Sequence, residues 1–139
     1  MESTQSHNLH FLTAHNVPHV RLLDLSGNRI QHIPPTILAF SGLKSIFLNQ
    51  NRLTKLPQEM GCLPLLEYMS CSYNHICSID ASIGNLRHLR ELKLASNKLK
   101  LFPEELFSLR SLQLIDLSKN HISDIPSGIG RMKVRIIRL

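Results

Sequence analysis

The chain has 139 residues, of which 42% are hydrophobic, and it carries a formal net charge of +6. It is long enough to bury a core, but no segment approaches the roughly 18 consecutive apolar residues of a membrane span. No apolar targeting segment follows the initial "MESTQSHNLHF", so we expect a cytoplasmic protein without a membrane span.

Residues 1–19 precede the first regular motif of the chain. Within them, Leu9 and Leu12 show a spacing that Ile37 and Phe40 repeat farther along. We therefore interpret residues 1–19 as an N-terminal partial repeat or cap that covers the edge of the first strand. The segment is also rich in histidine, but Pro18 argues against a helix that would align two histidines as metal ligands. No metal site is expected from this group, which comprises His7, His10, His15 and His19.

One eleven-residue pattern then recurs five times, with starts that are 23 residues apart. The pattern is L-x-x-L-x-L-x-x-N-x-L, and its copies begin at Val20, Leu43, Leu66, Leu89 and Leu112. Alternation of apolar and polar residues predicts a short strand in each copy, with the first, fourth, sixth and eleventh positions pointing inward. One strand per repeat, with every crossover on the same side, predicts a parallel sheet. Residues 20–133 should thus form five repeats of one elongated domain.

The ninth position of every copy is an asparagine, at the point where the chain leaves the strand and turns. Backbone groups that are buried at such a turn need hydrogen-bond partners, and a side-chain amide offers two donors and an acceptor. We predict that these side chains form a structural ladder along the repeats and do not bind a ligand. The predicted ladder consists of Asn28, Asn51, Asn74, Asn97 and Asn120.

Prolines mark the beginning of the segments between motifs, at Pro34, Pro57, Pro103 and Pro126. Their fixed φ favours a turn into a short helical or irregular crossover. Asp80 stands at the equivalent point of the third repeat and is predicted to cap a locally different crossover.

Both halves of the repeat resemble leucine-rich repeats, whose periods include 23 residues. The second half, I/L-P-x-x-I-x-x-L, is similar to the short intracellular repeats of Ras-group and SHOC-like proteins; it is seen at Ile33, Pro34, Ile37, Phe40 and at Leu56, Pro57, Met60, Leu63. The resemblance implies an α/β leucine-rich repeat solenoid, with a curved parallel sheet on the concave side and short helical or irregular crossovers on the convex side. It also implies a non-catalytic protein-interaction module without a cofactor, with a partner in intracellular signalling.

Residues 134–139 begin a sixth copy of the motif, with Val134, Ile137 and Leu139 at its first, fourth and sixth positions. We interpret this segment as the first strand of a truncated sixth repeat. An unpaired apolar strand is a template for pairing with another chain, so self-association through this strand is expected.

The remaining motif positions are mostly polar, which predicts that the concave face of the sheet is open to solvent. The third-position column is Leu22, Ser45, Tyr68, Glu91, Leu114 and Ile136, and the fifth-position column is Asp24, Phe47, Ser70, Lys93, Asp116 and Arg138. Phe47, Tyr68 and Tyr73 should project from neighbouring strands as an exposed aromatic cluster, a candidate hot spot for a protein partner. The alternative is that Phe47 and Tyr68 only pack on each other across strands. The predicted partner-binding residues are Leu22, Asp24, Phe47, Tyr68, Tyr73, Glu91, Lys93, Leu114 and Asp116.

Basic residues along both borders of the sheet offer an alternative function, the binding of nucleic acid or an anionic surface. The second-position stripe contains Arg21, Lys44, Arg90 and Arg135, and the tenth-position stripe contains Arg29, Arg52 and Lys98. Four of the 16 basic residues lie near the C-terminal end, however, and without them the balance is 12 minus 10, or +2. Acidic residues also interrupt the basic surface, so solvated edges are favoured over nucleic-acid binding.

Catalysis and metal chemistry are not indicated by the sequence. Phosphate-binding glycine loops, nucleophile elbows and convergent His or carboxylate groups are missing from it. The three cysteines, Cys62, Cys71 and Cys77, form no C-x-x-C pair, which disfavours zinc. Their odd number favours reduced thiols and thus a reducing compartment.

Overall fold

The computed structural model describes residues 16–139, in which short strands alternate with 3₁₀ helices. The strands are β1 (Leu22–Asp24), β2 (Ser45–Phe47), β3 (Lys55–Leu56), β4 (Tyr68–Ser70), β5 (Ser78–Ile79), β6 (Glu91–Lys93), β7 (Leu114–Asp116) and β8 (Ile136–Arg138). The 3₁₀ helices are Pro35–Ala39, Gln58–Cys62, Ala81–Asn85, Glu104–Ser108 and Ser127–Arg131. The interpretation of Leu9 and Leu12 as a cap, and the histidines up to His15, lie outside the described residues.

Within the described residues, six strands form one parallel sheet in the order β1-β2-β4-β6-β7-β8. Equivalent residues of successive repeats face each other, as in the series Leu22, Ser45, Tyr68, Glu91 and Leu114. The last step is one residue shorter, because Leu114 faces Ile136. The parallel sheet with short crossovers on one side confirms the predicted solenoid, and its helical component is 3₁₀ throughout the described residues.

The core lies between this sheet and the crossovers. Inward positions of the middle repeats are fully buried, as Leu43, Ile46 and Leu48 illustrate with at most 1% exposure. The first four 3₁₀ helices each add one fully buried side chain from the other side, namely Ile37, Met60, Ile83 and Leu106. In the first repeat, Val20, Leu23 and Leu25 are only partly buried. Burial therefore depends on having a repeat on each side, as expected for a one-dimensional stack.

A second, two-stranded parallel sheet joins β3 to β5 and was not expected from the sequence. The Asp80 backbone N–H donates to the Leu56 carbonyl at 2.9 Å, which closes this pairing. Pro57 and Pro103 hold the equivalent position in neighbouring repeats, where proline has no N–H to donate. One hydrogen bond of the small sheet therefore forms because the third repeat has aspartate where its neighbours have proline.

Asp80 also caps the crossover that follows it. Its Oδ1 accepts from the Ser82 backbone N–H at 2.9 Å, at the N-cap of the Ala81–Asn85 helix. This hydrogen bond confirms the predicted capping role and is the main cause that lowers the pKa of the Asp80 carboxyl below its ordinary value. The crossovers that contain Gly61 and Ser82 pack closely. A Cβ atom added at Gly61 would collide with the Ser82 backbone carbonyl, so glycine is required there.

Candidate interaction surface

The ladder asparagines bind backbone groups of two successive repeats. Asn74 Nδ2 donates to the Leu48 carbonyl at 2.9 Å and to the Cys71 carbonyl at 3.0 Å, while its Oδ1 accepts from the Leu53 N–H at 3.0 Å. Asn51 and Asn97 make the same set of bonds and are likewise buried. Each amide therefore joins its own turn to that of the preceding repeat.

The two outer members of the ladder depart from the expectation of five buried amides. Asn28 is exposed and bonds only within its own turn, to the carbonyls of Leu25 and Ser26. Asn120 is half-buried, although it retains bonds to Leu94 and to the Leu99 N–H. Asn28 lacks the dry surroundings of the others because it belongs to the first regular repeat.

The residue before each ladder asparagine has a left-handed backbone. Its φ lies between 55° and 72° in all five repeats, at Gly27, Gln50, Tyr73, Ser96 and Lys119. Non-glycine residues adopt this conformation at a cost of about 1 to 2 kcal/mol. The turn follows the strand, and the next residue is the ladder asparagine, which is buried in the three middle repeats. The sequence did not predict this column. Glycine, the residue type that usually indicates a left-handed backbone, occurs in it only at Gly27.

Tyr73 belongs to this left-handed column, and its prediction as a strand residue was wrong. The structure places it in the turn after β4 with 57% of its surface exposed. The side chain is therefore accessible, but it belongs to the border of the sheet and not to the strand positions that carry Phe47 and Tyr68.

The sheet face is the side of the six-stranded sheet that carries the third and fifth motif positions, opposite the core. Leu22 at one end and Ile136 at the other are 56% and 44% exposed. The inner members of both columns are half-buried, except Ser70, which is buried. The predicted binding residues that share this face are Leu22, Asp24, Phe47, Tyr68, Glu91, Lys93, Leu114 and Asp116.

Phe47 and Tyr68 lie on neighbouring strands of the sheet face without facing each other directly. Phe47 is opposite Ser70, and Tyr68 is opposite Ser45. The two aromatic side chains are thus diagonal neighbours, a spacing that long side chains can still bridge. Among the described residues, the one stacked ring pair is on the crossover side, between Phe102 and Phe107 at 5.4 Å.

A hydrogen-bond network beside Phe47 was also missed by sequence reasoning. Asn49 Oδ1 accepts from Ser70 Oγ and from the Ser72 N–H, both at 2.8 Å. Ser72 Oγ in turn accepts from the Ala95 N–H at 3.2 Å. These bonds link three successive repeats and explain why Ser70 is buried. Asn49 and Ser72 both occupy the seventh motif position, which holds a small polar residue in four of the five copies. This pattern could have indicated the network.

Charged side chains on the sheet face lie near partners of opposite charge. Lys93 Nζ is 3.8 Å from Glu91 Oε2, and Arg138 Nη1 is 3.7 Å from Asp116 Oδ2. Asp24 accepts from the Ser26 backbone N–H, which lowers the pKa of its carboxyl. The face therefore alternates in sign and has no large area of one charge.

The second-position basic stripe is partly engaged within the protein. Arg21 Nη1 donates to the carbonyls of Pro18 and Gly42, at 2.6 and 3.1 Å. Lys44 Nζ lies 3.8 Å from Glu67 Oε1. Two of the four side chains in the stripe thus have internal partners, which reduces their availability to phosphates.

The cysteines are free thiols in different surroundings. Burial raises the pKa of the Cys71 thiol to about 12, whereas Cys62 and Cys77 are exposed. Within residues 16–139, no group of three His, Cys, Asp or Glu side chains is placed to hold a metal ion. In the same range, no helix is both long and apolar enough to cross a membrane.

A family model described as leucine rich repeat matches residues 18–76 and 78–127 of this chain. The chain belongs to the leucine-rich repeat family. Leucine-rich repeat-containing protein 10 of Bos taurus is 34% identical over 59 residues, which are 42% of this chain and 21% of that protein. The chain thus matches only about a fifth of the length of this relative.

Solved structures of leucine-rich repeat proteins share the fold. A leucine-rich repeat protein of Leptospira interrogans is 34% identical, with a TM-score of 0.71 over 78% of this chain and 27% of its own. The Arabidopsis receptor kinase HAESA, solved with the peptide hormone IDA and the co-receptor SERK1, is 28% identical. Its TM-score is 0.78 over 88% of this chain and 22% of its own. Leucine-rich repeat domains of this kind are non-catalytic modules that bind protein partners.

Proposed function

We propose that this chain is a non-catalytic module that binds a protein partner on its sheet face. The observation that carries the proposal is that one face of a parallel sheet presents side chains to solvent, including Leu22 at 56% exposure. Parallel sheets normally have both faces covered. A face with apolar, aromatic and paired charged side chains suits a protein surface better than a polyanion.

The centre of the proposed interface is the diagonal pair of Phe47 and Tyr68. Both side chains are half-buried, so binding would complete their burial without a large cost in side-chain entropy. The Asn49 network holds the backbone beside them. Tyr73 would contribute from the border, where it is more exposed.

The narrower assignments are also proposals. The stretch "LRSLQLIDLSKNHISDIPSGIG" looks most like leucine-rich repeat-containing protein fifty-seven, a small member of the Ras-group and SHOC-like class. On that likeness we propose a cytoplasmic scaffold or regulator in signalling. We also propose a division into an N-terminal partial repeat (1–19), five repeats (20–133) and the first strand of a sixth (134–139). HAESA, a structural relative, was solved with a peptide hormone and a co-receptor, which supports a role in protein recognition.

The test compares two double mutants in a binding experiment. Phe47→Ala with Tyr68→Ala should abolish capture of protein partners from a cell extract, because both substitutions remove apolar area from the centre of the face. Arg29→Glu with Arg52→Glu, at the border, should mainly change the association rate and its salt dependence. Unfolding curves for both mutants are the control for an intact fold.

Binding of nucleic acid is measured with the same proteins, using generic RNA and DNA at two salt concentrations. If the basic stripes are the binding site, the arginine mutant loses binding and affinity falls steeply with salt. Unchanged partner capture by the aromatic mutant would refute the proposed interface. A large loss of stability in that mutant would show instead that Phe47 and Tyr68 are packing residues.

A further inference from the structure

A second surface lies beside β5, away from the sheet face. It is a groove of about 800 Å³ that spans the third, fourth and fifth repeats. The volume is within the range of about 300 to 1,000 Å³ that is typical of ligand sites. Its walls are formed by the segments that follow the ladder turns, from Cys77, Leu99 and Asp124 onward.

Apolar side chains in this groove are unusually exposed. Leu101 is 80% exposed, the largest fraction among the large exposed hydrophobic residues of the described range, and Ile125 is 41% exposed. Ile79, which also lines the groove, is half-buried. Burying such side chains against a partner is favourable, because it removes apolar area from water. The groove therefore favours an apolar occupant.

One edge of β5, at the groove, has no paired strand among the described residues. The Leu56 carbonyl is paired because Asp80 donates its N–H at 2.9 Å. Pro103 occupies the corresponding position one repeat later and has no N–H, so the Ile79 carbonyl receives no such bond. Within residues 16–139, no backbone hydrogen bond joins β5 to the segment around Leu101. An extended peptide is the ligand that pairs with an edge of this kind.

The rim of the groove carries the opposite charge from the chain as a whole. Glu104, Glu105 and Asp124 line it together with one basic residue, Lys100. The chain has a formal net charge of +6. This local excess of carboxylates selects for cationic side chains in a ligand, because opposite charges steer and orient binding.

We propose that this groove binds an extended segment of a partner protein in which apolar residues alternate with lysine or arginine. The apolar side chains would contact Leu101 and Ile125, the basic side chains would reach Glu104 and Glu105, and a backbone N–H would donate to the Ile79 carbonyl. The site uses none of the residues of the sheet face, so both surfaces can be occupied in one complex.

The experiment selects peptides from a phage-displayed library of random seven-residue sequences on the wild-type chain. Enriched peptides should combine apolar residues with lysine or arginine. Measured by fluorescence anisotropy, they should bind Leu101→Glu and the double mutant Glu104→Lys, Glu105→Lys at least tenfold more weakly than wild type. Leu65→Glu is the matched control, because it places the same charge at an exposed leucine outside both surfaces and should leave binding unchanged.

The proposal is overturned if no peptides are enriched, if the enriched peptides are acidic, or if they bind Leu101→Glu as tightly as wild type. Light scattering tests whether the occupant is a second copy of the chain. The proposal is also overturned if the wild-type chain alone forms a dimer that Leu101→Glu abolishes. The mutant Phe47→Ala with Tyr68→Ala should retain peptide binding. Failure of this proposal is thereby separated from failure of the sheet-face interface.

Discussion

The ladder asparagines differ in how many backbone groups they satisfy. Asn74 binds groups of two repeats, including the carbonyl of Leu48 and the N–H of Leu53, whereas Asn28 bonds only within its own turn. The desolvation penalty of a buried polar group arises only where water cannot replace the lost partner. The same residue type at the same motif position is therefore expected to contribute differently to stability.

Replacing Asn74 by alanine should lower the free energy of unfolding by roughly 1 to 3 kcal/mol, because buried backbone groups lose their partners. Asn28→Ala is the matched control and should cost less than about 0.5 kcal/mol, the usual range for surface substitutions. Chemical denaturation of both mutants measures the difference. Equal midpoints for the two mutants would contradict a special role of the buried amide.

The left-handed column shows a second property that belongs to single residues. Gln50, Tyr73, Ser96 and Lys119 adopt φ values of 55° to 58° although none is glycine. The hydrogen bonds of the following asparagines fix the turn and overcome the local preference. Tyr73 consequently projects from a turn, which explains why strand periodicity failed to place it.

At the scale of elements, the crossover of the third repeat differs from its neighbours because Asp80 replaces proline. It supplies both a backbone donor to the Leu56 carbonyl and a side-chain cap for Ser82. The backbone donor adds one hydrogen bond to the pairing of β3 with β5. The next repeat returns to proline at Pro103, so the Ile79 carbonyl receives no such bond.

Asp80→Pro should lower the denaturation midpoint, although φ of −63° at this position suits proline. The substitution removes the N–H that reaches the Leu56 carbonyl, and the Cys77 amide, which bonds Thr54 in the same pairing, should exchange faster with solvent. Asp80→Asn retains the donor and the capping acceptor and serves as the control. A midpoint for Asp80→Pro equal to or above that of wild type would show that the β3–β5 pairing is not stabilising.

At the scale of the whole molecule, the parallel sheet of residues 16–139 has β1 and β8 as its outer strands. β8 pairs with β7 on one side, and Ile136 and Leu139 are 44% and 55% exposed. A strand edge with exposed apolar side chains favours pairing between chains. Whether two chains pair depends on what covers this edge, since each repeat is stabilised by its neighbours.

The 139-residue chain should therefore self-associate as its concentration rises, which light scattering after size-exclusion chromatography can measure. Ile136→Lys with Leu139→Lys should restore a monomer, because charges on an edge strand oppose pairing. Leu38→Lys, at an exposed leucine of a crossover, is the control and should associate like wild type. A wild-type monomer at all concentrations, with amides of Ile136 and Ile137 protected from exchange, would contradict edge pairing.

The sequence by itself determined the repeat length, the parallel sheet, the inward positions and the cap at Asp80. These features follow from local rules, because a fixed period repeats the same apolar spacing and the same turn chemistry in every copy. Phe47 and Tyr68 were placed on the sheet face for the same reason.

Only the tertiary structure decided the features that depend on neighbouring repeats. Whether an asparagine is buried depends on the repeats stacked on both sides of it, so Asn28 and Asn74 differ despite identical motif positions. The pairing of β3 with β5 requires a donor in one repeat and an acceptor in another, 24 residues apart in the case of Asp80 and Leu56. The 80% exposure of Leu101 likewise appears only in the folded chain. Such contacts join residues distant in sequence, and no local pattern encodes them.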